Sequence, residues 1–236
     1  MDFSELSCAM EKPTSDLGRL AVLKSLLPHV ARVAPRDVAT VVSHFTSDNG
    51  REACLAVCCP RLPAQSVGAR DLEQTLDFFT SDEGRAAGLA RLHPKLAKNM
   101  PGAGATRVLA LFTSDHGRVA GVGLLAPLVA EPLRVQELVE LLGIFTSENG
   151  RIAGAAKLLP KVSLQQPLGA ALASVLGIMT SDAGRAAAAA LVARERQRQQ
   201  QQQQQHVRPP APAKMAPAVA LDDDPPPPYQ EPPNLQ

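Results

Sequence analysis

The sequence predicts an all-α protein of helical-hairpin repeats, stacked as an α-solenoid or compact superhelix and followed by a disordered tail. Three observations predict it. A seven-residue motif recurs six times, as "PTSDLGR" from Pro13, "FTSDNGR" from Phe45, "FTSDEGR" from Phe79, "FTSDHGR" from Phe112, "FTSENGR" from Phe145 and "MTSDAGR" from Met179. Its threonines lie 32 to 34 residues apart, the period of a helical-hairpin array. The segments on either side of each motif carry apolar residues at helical spacing, and no segment reads as a convincing strand.

The fifth copy shows the unit most clearly. In "RVQELVELLGIF", Val135, Leu138, Val139, Leu142 and Phe145 share one helical face, which defines a helix A before the motif. In "GRIAGAAKLL", Ile152, Ala155, Ala156 and Leu159 share a face on a helix B after it, and small residues there permit close helix approach. A proline stands fourteen residues after the motif threonine in the first five copies: Pro28, Pro60, Pro94, Pro127 and Pro160. Lacking an N–H and clashing with the preceding turn, it ends or kinks helix B. The sixth copy has Arg194 at that offset, so its helix B is free to run on. One hairpin of this size cannot bury both apolar faces, which is why neighbours must stack.

Within the motif, the aromatic Phe45, Phe79, Phe112 or Phe145 is the anchor between helices; Met179 substitutes for it, and Pro13 makes the first copy a cap or half-repeat. Thr, Ser and the acid (Asp16, Asp48, Asp82, Asp115, Glu148, Asp182) are all candidates to cap helix B, and the acid sits near the positive end of its dipole. The arginine three residues on (Arg51, Arg85, Arg118, Arg151, Arg185) is placed to pair with that acid or with the acid of the next copy. The glycine common to all copies either relieves crowding or supplies an unusual backbone angle. Six near-identical sites along an array do not converge on one pocket, so the motif reads as a helix-junction device and no catalytic residues are expected. Neither a metal site nor a cofactor site is expected: Cys54 and Cys58 share a helix face without a second ligand pair, and the histidines are scattered.

The unit resembles the short repeats of an uncharacterised all-helical family known as a domain of unknown function. The resemblance covers about residues 13 to 193 and implies a helical fold, with no catalytic residues to carry over. The unit is also similar to the repeats of plant-pathogen TAL effectors, which share the length, the helix–loop–helix form, the loop Ser and Gly and the "LLP" of the second helix. That resemblance implies base reading by the variable loop residue, here Leu17, Asn49, Glu83, His116, Asn149 and Ala183. The acid in every loop, the shorter proline offset and a near-neutral charge argue against nucleic acid, since phosphate binding calls for a basic excess.

Composition changes near residue 194. Residues 1 to 193 carry 19 basic against 18 acidic residues, whereas residues 194 to 236 carry five of each and ten of the 21 prolines. The expected domains are therefore a repeat body, 1–193, and a Gln/Pro-rich tail, 194–236, that cannot bury apolar surface. In the tail, Pro226, Pro227, Pro228 and Tyr229 match the P-P-x-Y ligand pattern of WW domains, and Tyr229 is the only tyrosine. A preformed polyproline II turn with a terminal tyrosine suits an aromatic groove. The expected function is a non-enzymatic adaptor, binding one unknown protein through the repeats and a WW-domain protein through the tail. With acidic residues in "MDFSELSCAMEKP" and no long apolar run, no membrane insertion is expected, and the compartment expected is the cytoplasm or nucleus.

Overall fold

The computed structural model of the protein describes residues 1–162 and 168–207. Helices account for nearly all of the regular structure, and the described residues contain only three isolated β-bridges besides. The helices run in pairs. They are α1 (Phe3–Glu11) and α2 (Asp16–Leu26), α3 (Pro35–Ser43) and α4 (Asp48–Cys58), α5 (Ala69–Leu76) and α6 (Asp82–Leu92), α7 (Gly102–Ala110) and α8 (Asp115–Leu125), α9 (Val135–Gly143) and α10 (Glu148–Leu158), and α11 (Leu168–Gly177) and α12 (Asp182–Val207). Each motif falls at the junction of one pair, with its acid as the first residue of the second helix.

Packing follows the sequence order. The first helices stack as α1 on α3, α3 on α5, α5 on α7, α7 on α9 and α9 on α11, and the second helices as α2 on α4, α4 on α6, α6 on α8 and α8 on α10. The chain divides into a compact unit, Met1–Arg198, and a second unit, Gln199–Gln236. Of the latter, the described residues 199–207 are the last turns of α12, which runs through the glutamines to Val207 as the missing proline allows. The motif Pro226 to Tyr229 lies outside the described residues.

The prolines act as expected, with one refinement. The α-helix ends two residues before each proline, at Leu26, Cys58, Leu92, Leu125 and Leu158, and a single 3-10 turn follows in which the proline is the second residue. The proline's missing N–H costs nothing there, because the first donors of a helical turn have no internal partner. In three pairs the chain after this turn bridges to the chain entering the pair, Val67 to Leu96, Met100 to Val129 and Leu133 to Val162.

The core runs between the two helix layers. Phe45, Phe79, Phe112 and Phe145 are at most 1% exposed and Met179 is 3% exposed. The Phe79, Phe112 and Phe145 rings press on a glycine nine residues later: a Cβ on Gly88 would meet Phe79 at 2.9 Å, on Gly121 it would meet Phe112 at 3.1 Å, and on Gly154 it would meet Phe145 at 3.0 Å. The same offset from Phe45 holds Cys54, which is fully buried, and from Met179 it holds Ala188. Cys54 is thus a small core residue filling this position. On the fifth helix pair, Leu138, Leu142, Phe145, Ala155 and Leu159 are buried as expected, whereas Ala156 is exposed and Leu158 takes the core position beside Leu159.

Candidate functional site

The motif residues assemble into a ladder that joins each helix pair to the next. Ser15, Ser47, Ser81, Ser114, Ser147 and Ser181 are the caps: each side-chain oxygen accepts the N–H of the motif glycine, at 2.9 to 3.1 Å. This decides between the three candidates. The acid does different work, for its carboxylate reaches forward to the following copy. Asp16 accepts the backbone N–H groups of Thr46 and Ser47, both at 2.9 Å, and the Ser47 hydroxyl at 2.6 Å.

The contact repeats along the chain. Asp48 accepts from Thr80 N–H (2.9 Å) and Ser81 N–H (2.9 Å), Asp82 from Thr113 (2.8 Å) and Ser114 (2.8 Å), and Asp115 from Thr146 (2.9 Å) and Ser147 (2.6 Å). Glu148 does the same for Thr180 and Ser181, both at 2.9 Å. Ser47, Ser81, Ser114 and Ser181 therefore donate their hydroxyls backward and accept the glycine N–H forward, as Ser81 does with Asp48 and Gly84.

These bonds set the charge state of the acids. Burial raises the Asp48 carboxyl, but the N–H of Thr80, the hydroxyl and N–H of Ser81 and the Arg51 guanidinium outweigh it and hold the group at about 2. Asp82, similarly buried and held by Ser114 and Thr113, lies at about 2. Asp16 and Asp115 are held lower still by the same kinds of donor acting against burial. Glu148 is lowered chiefly by the Ser181 hydroxyl.

The glycine relieves crowding, and no described glycine has a left-handed φ. A Cβ on Gly50, Gly84 or Gly117 would lie 2.3 to 2.5 Å from an oxygen of the preceding acid, and on Gly150 or Gly184 the clash is with Asp115 or Glu148. Only a glycine lets the carboxylate approach the start of the helix so closely. The arginine pairs with its own acid, three residues back, at Arg51 (2.9 Å), Arg85 (3.3 Å), Arg118 (3.0 Å) and Arg185 (2.5 Å). Arg151 departs from this: with Glu148 extended toward Ser181, it donates instead to the Ile178 carbonyl at 2.9 Å. The Nε atoms of Arg19, Arg51, Arg85, Arg118 and Arg151 are buried without an acceptor, which offsets part of what these pairs contribute.

The variable positions Leu17, Asn49, Glu83, His116, Asn149 and Ala183 are all exposed, as their tolerance of different side chains implies. Elsewhere, Ser7 Oγ lies 3.0 Å from His44 Nε2, a pair the sequence reading missed because its members are 37 residues apart. It ties α1 to the C-terminal end of α3, and burial lowers the His44 pKa. A shallow depression of about 380 Å³ on α8 and α10 is lined by Gly123, Ala126, Pro127, Lys157 and Lys161, and Lys161 is engaged by Glu131. Among the described residues, no three His, Cys, Asp or Glu side chains are placed to hold a metal ion, and no helix is long and apolar enough to cross a membrane. Chemically, the acids of the ladder bind backbone N–H groups and hydroxyls, and its serines link the acid of one copy to the helix start of the next by hydrogen bonds. No family model, no curated protein and no solved structure matches the chain.

Proposed function

We propose that the protein is a non-enzymatic adaptor in which six hairpins form an α-solenoid, offering a protein-binding surface, and the tail recruits a WW-domain protein through Pro226, Pro227, Pro228 and Tyr229. The observation that carries the first half is the fate of the motif's reactive-looking residues. Its Thr, Ser, Asp and Arg are taken up in bonds between and within helix pairs, so the repeated chemistry builds the body, and recognition falls to the exposed side chains that differ from copy to copy. Arrays of this kind use the surface made by neighbouring units to bind other proteins.

The second half rests on the "PPPPY" sequence, whose apolar prolines and single tyrosine fit an aromatic groove at low entropic cost. Tail peptides with Tyr229 unmodified, phosphorylated or changed to Ala, titrated against WW domains, test it. Binding by the unmodified peptide alone supports the reading, because phosphate charge opposes an apolar pocket; equal binding by all three overturns it. In affinity capture from cell extract, the full chain is compared with one ending at residue 207, which keeps α12 whole. The shorter chain is expected to lose WW-domain partners and keep those of the body. The competing reading, nucleic-acid binding through the variable positions, predicts salt-dependent binding to DNA or RNA in a gel-shift series.

A further inference from the structure

Among the described residues the ladder has two unfilled ends, and they are complementary. At one end stands Asp182, the first residue of α12, with the same surroundings as the other acids: Ser181 caps the helix onto Gly184, and Arg185 pairs with one carboxylate oxygen at 2.5 Å. The side chains of Asp16, Asp48, Asp82 and Asp115 are 16 to 19% exposed beneath the Thr–Ser pair of the following copy, whereas that of Asp182 is 98% exposed. No TSDxGR copy follows it in the chain.

At the other end stand Thr14 and Ser15. Ser15 caps α2 onto Gly18 as every other junction serine does, yet among the described residues no carboxylate accepts the N–H groups of Thr14 or Ser15. Gly18 supplies an independent sign of the same gap. A Cβ on each of the other five motif glycines would strike the acid of the preceding copy, but a Cβ on Gly18 meets only Pro13 and Ser15, at 3.0 and 3.2 Å. The glycine that clears room for a carboxylate is present, and none of the described carboxylates fills that room.

We infer that the protein associates head to tail with a second copy of itself, the Asp182 carboxylate of one molecule accepting the Thr14 and Ser15 N–H groups of the next. The contact continues the junction already made five times within the chain, so its geometry and its charge-assisted hydrogen bonds are those of Asp48 with Thr80 and Ser81. Because the two surfaces differ, the interface is heterologous, and addition proceeds past a dimer. This inference does not depend on the adaptor reading or on the tail.

Sedimentation velocity on the full chain, from micromolar to near-millimolar concentration, tests it with one variant for each end. Asp182→Ala removes the acceptor and gives up only a surface pair with Arg185, and Gly18→Ala occupies the place of the incoming carboxylate with a contact of 3.0 Å on Pro13 and 3.2 Å on Ser15. Thermal melting by circular dichroism confirms that both variants are folded. The wild type is expected to gain mass beyond a dimer as concentration rises, and each variant alone to associate more than about tenfold more weakly. An equimolar mixture of the two variants restores one compatible pair of ends and is expected to stop at a dimer. A wild type that stays monomeric throughout overturns the inference, as do variants that grow like the wild type or a mixture with no dimer.

Discussion

The carboxylate of Asp48 reaches across 33 residues of sequence to Ser81, accepting its backbone N–H at 2.9 Å and its hydroxyl at 2.7 Å. That junction is held by the acid more than by the arginine, since Arg51 leaves its buried Nε unsatisfied. Asp48→Ala strands the two N–H groups of Thr80 and Ser81 and is expected to cost about 2–3 kcal/mol. Arg51→Met, which removes the orphaned donor and keeps the packing of the stem, is expected to cost under about 1 kcal/mol. Urea unfolding of the two variants checks the order, and the reverse ranking would show that the intra-helix ion pair dominates.

Glycine substitutions separate close approach from helix propensity. In Gly84→Ala the new Cβ would lie 2.3 Å from Asp48 Oδ2, so the rung must shift, at an expected cost of about 1–3 kcal/mol. Gly143, at the end of α9, has nothing within 4 Å of the corresponding Cβ position. Gly143→Ala is expected to stabilise by about 0.5 kcal/mol, through a smaller entropy loss on folding. Thermal melts of the pair should move in opposite directions.

The depressed carboxyls fix the sign of the acid response. A group whose folded pKa lies below its unfolded value contributes stability that is fully present above the unfolded value and is lost as pH falls through the folded one. For Asp48 and Asp82 this window runs from 3.8 down to about 2, and Asp16 and Asp115 extend it lower. The denaturation midpoint is therefore expected to hold steady above about pH 5 as far as these groups are concerned, and to fall steeply below pH 4. In Asp48→Asn, which cannot titrate, the fall should be shallower.

The repeat and the helix pairs were legible because the motif recurs at a fixed period and its flanks carry helical spacing. The prolines marked the ends of the second helices to within two residues. The ladder was not legible, because a cap is read within one junction and only the arginine suggested a link to the next copy, while the acid's main partners are the backbone N–H groups 30 to 33 residues further on. A signal was present in the glycine: a residue with no left-handed φ and no helix-ending role, kept in every copy, points to something approaching it closely. The small residue nine positions after each aromatic anchor, Cys54, Gly88, Gly121 or Gly154, was a second such signal.

That socket also predicts thiol behaviour. Burial, with a further contribution from its hydrogen bond to Cys58, pushes the Cys54 thiol well up, and burial pushes Cys59 up to about 11. Cys8 is exposed. A thiol reagent at neutral pH is expected to modify Cys8 promptly and to reach Cys54, Cys58 and Cys59 only on unfolding, so native titration should count one fast thiol. Fast modification of all four would mean that α4 opens readily.

Gln65, at φ 55°, holds a left-handed conformation that costs an L-residue energy. Gln65→Gly is expected to stabilise by up to about 1 kcal/mol, read as a higher urea midpoint.

The forward reach of each acid also makes the protein divisible into whole lengths. Excising Thr80 to Phe112 would place Thr113 directly after Phe79, so that Asp48 meets Thr113 and Ser114 in place of Thr80 and Ser81, and the Phe79 ring finds Gly121 in place of Gly88. Both fittings survive the cut. A deletion of half that size would leave carboxylate and ring without counterparts, so the chain can change its extent by whole units but has no tolerated fraction of one.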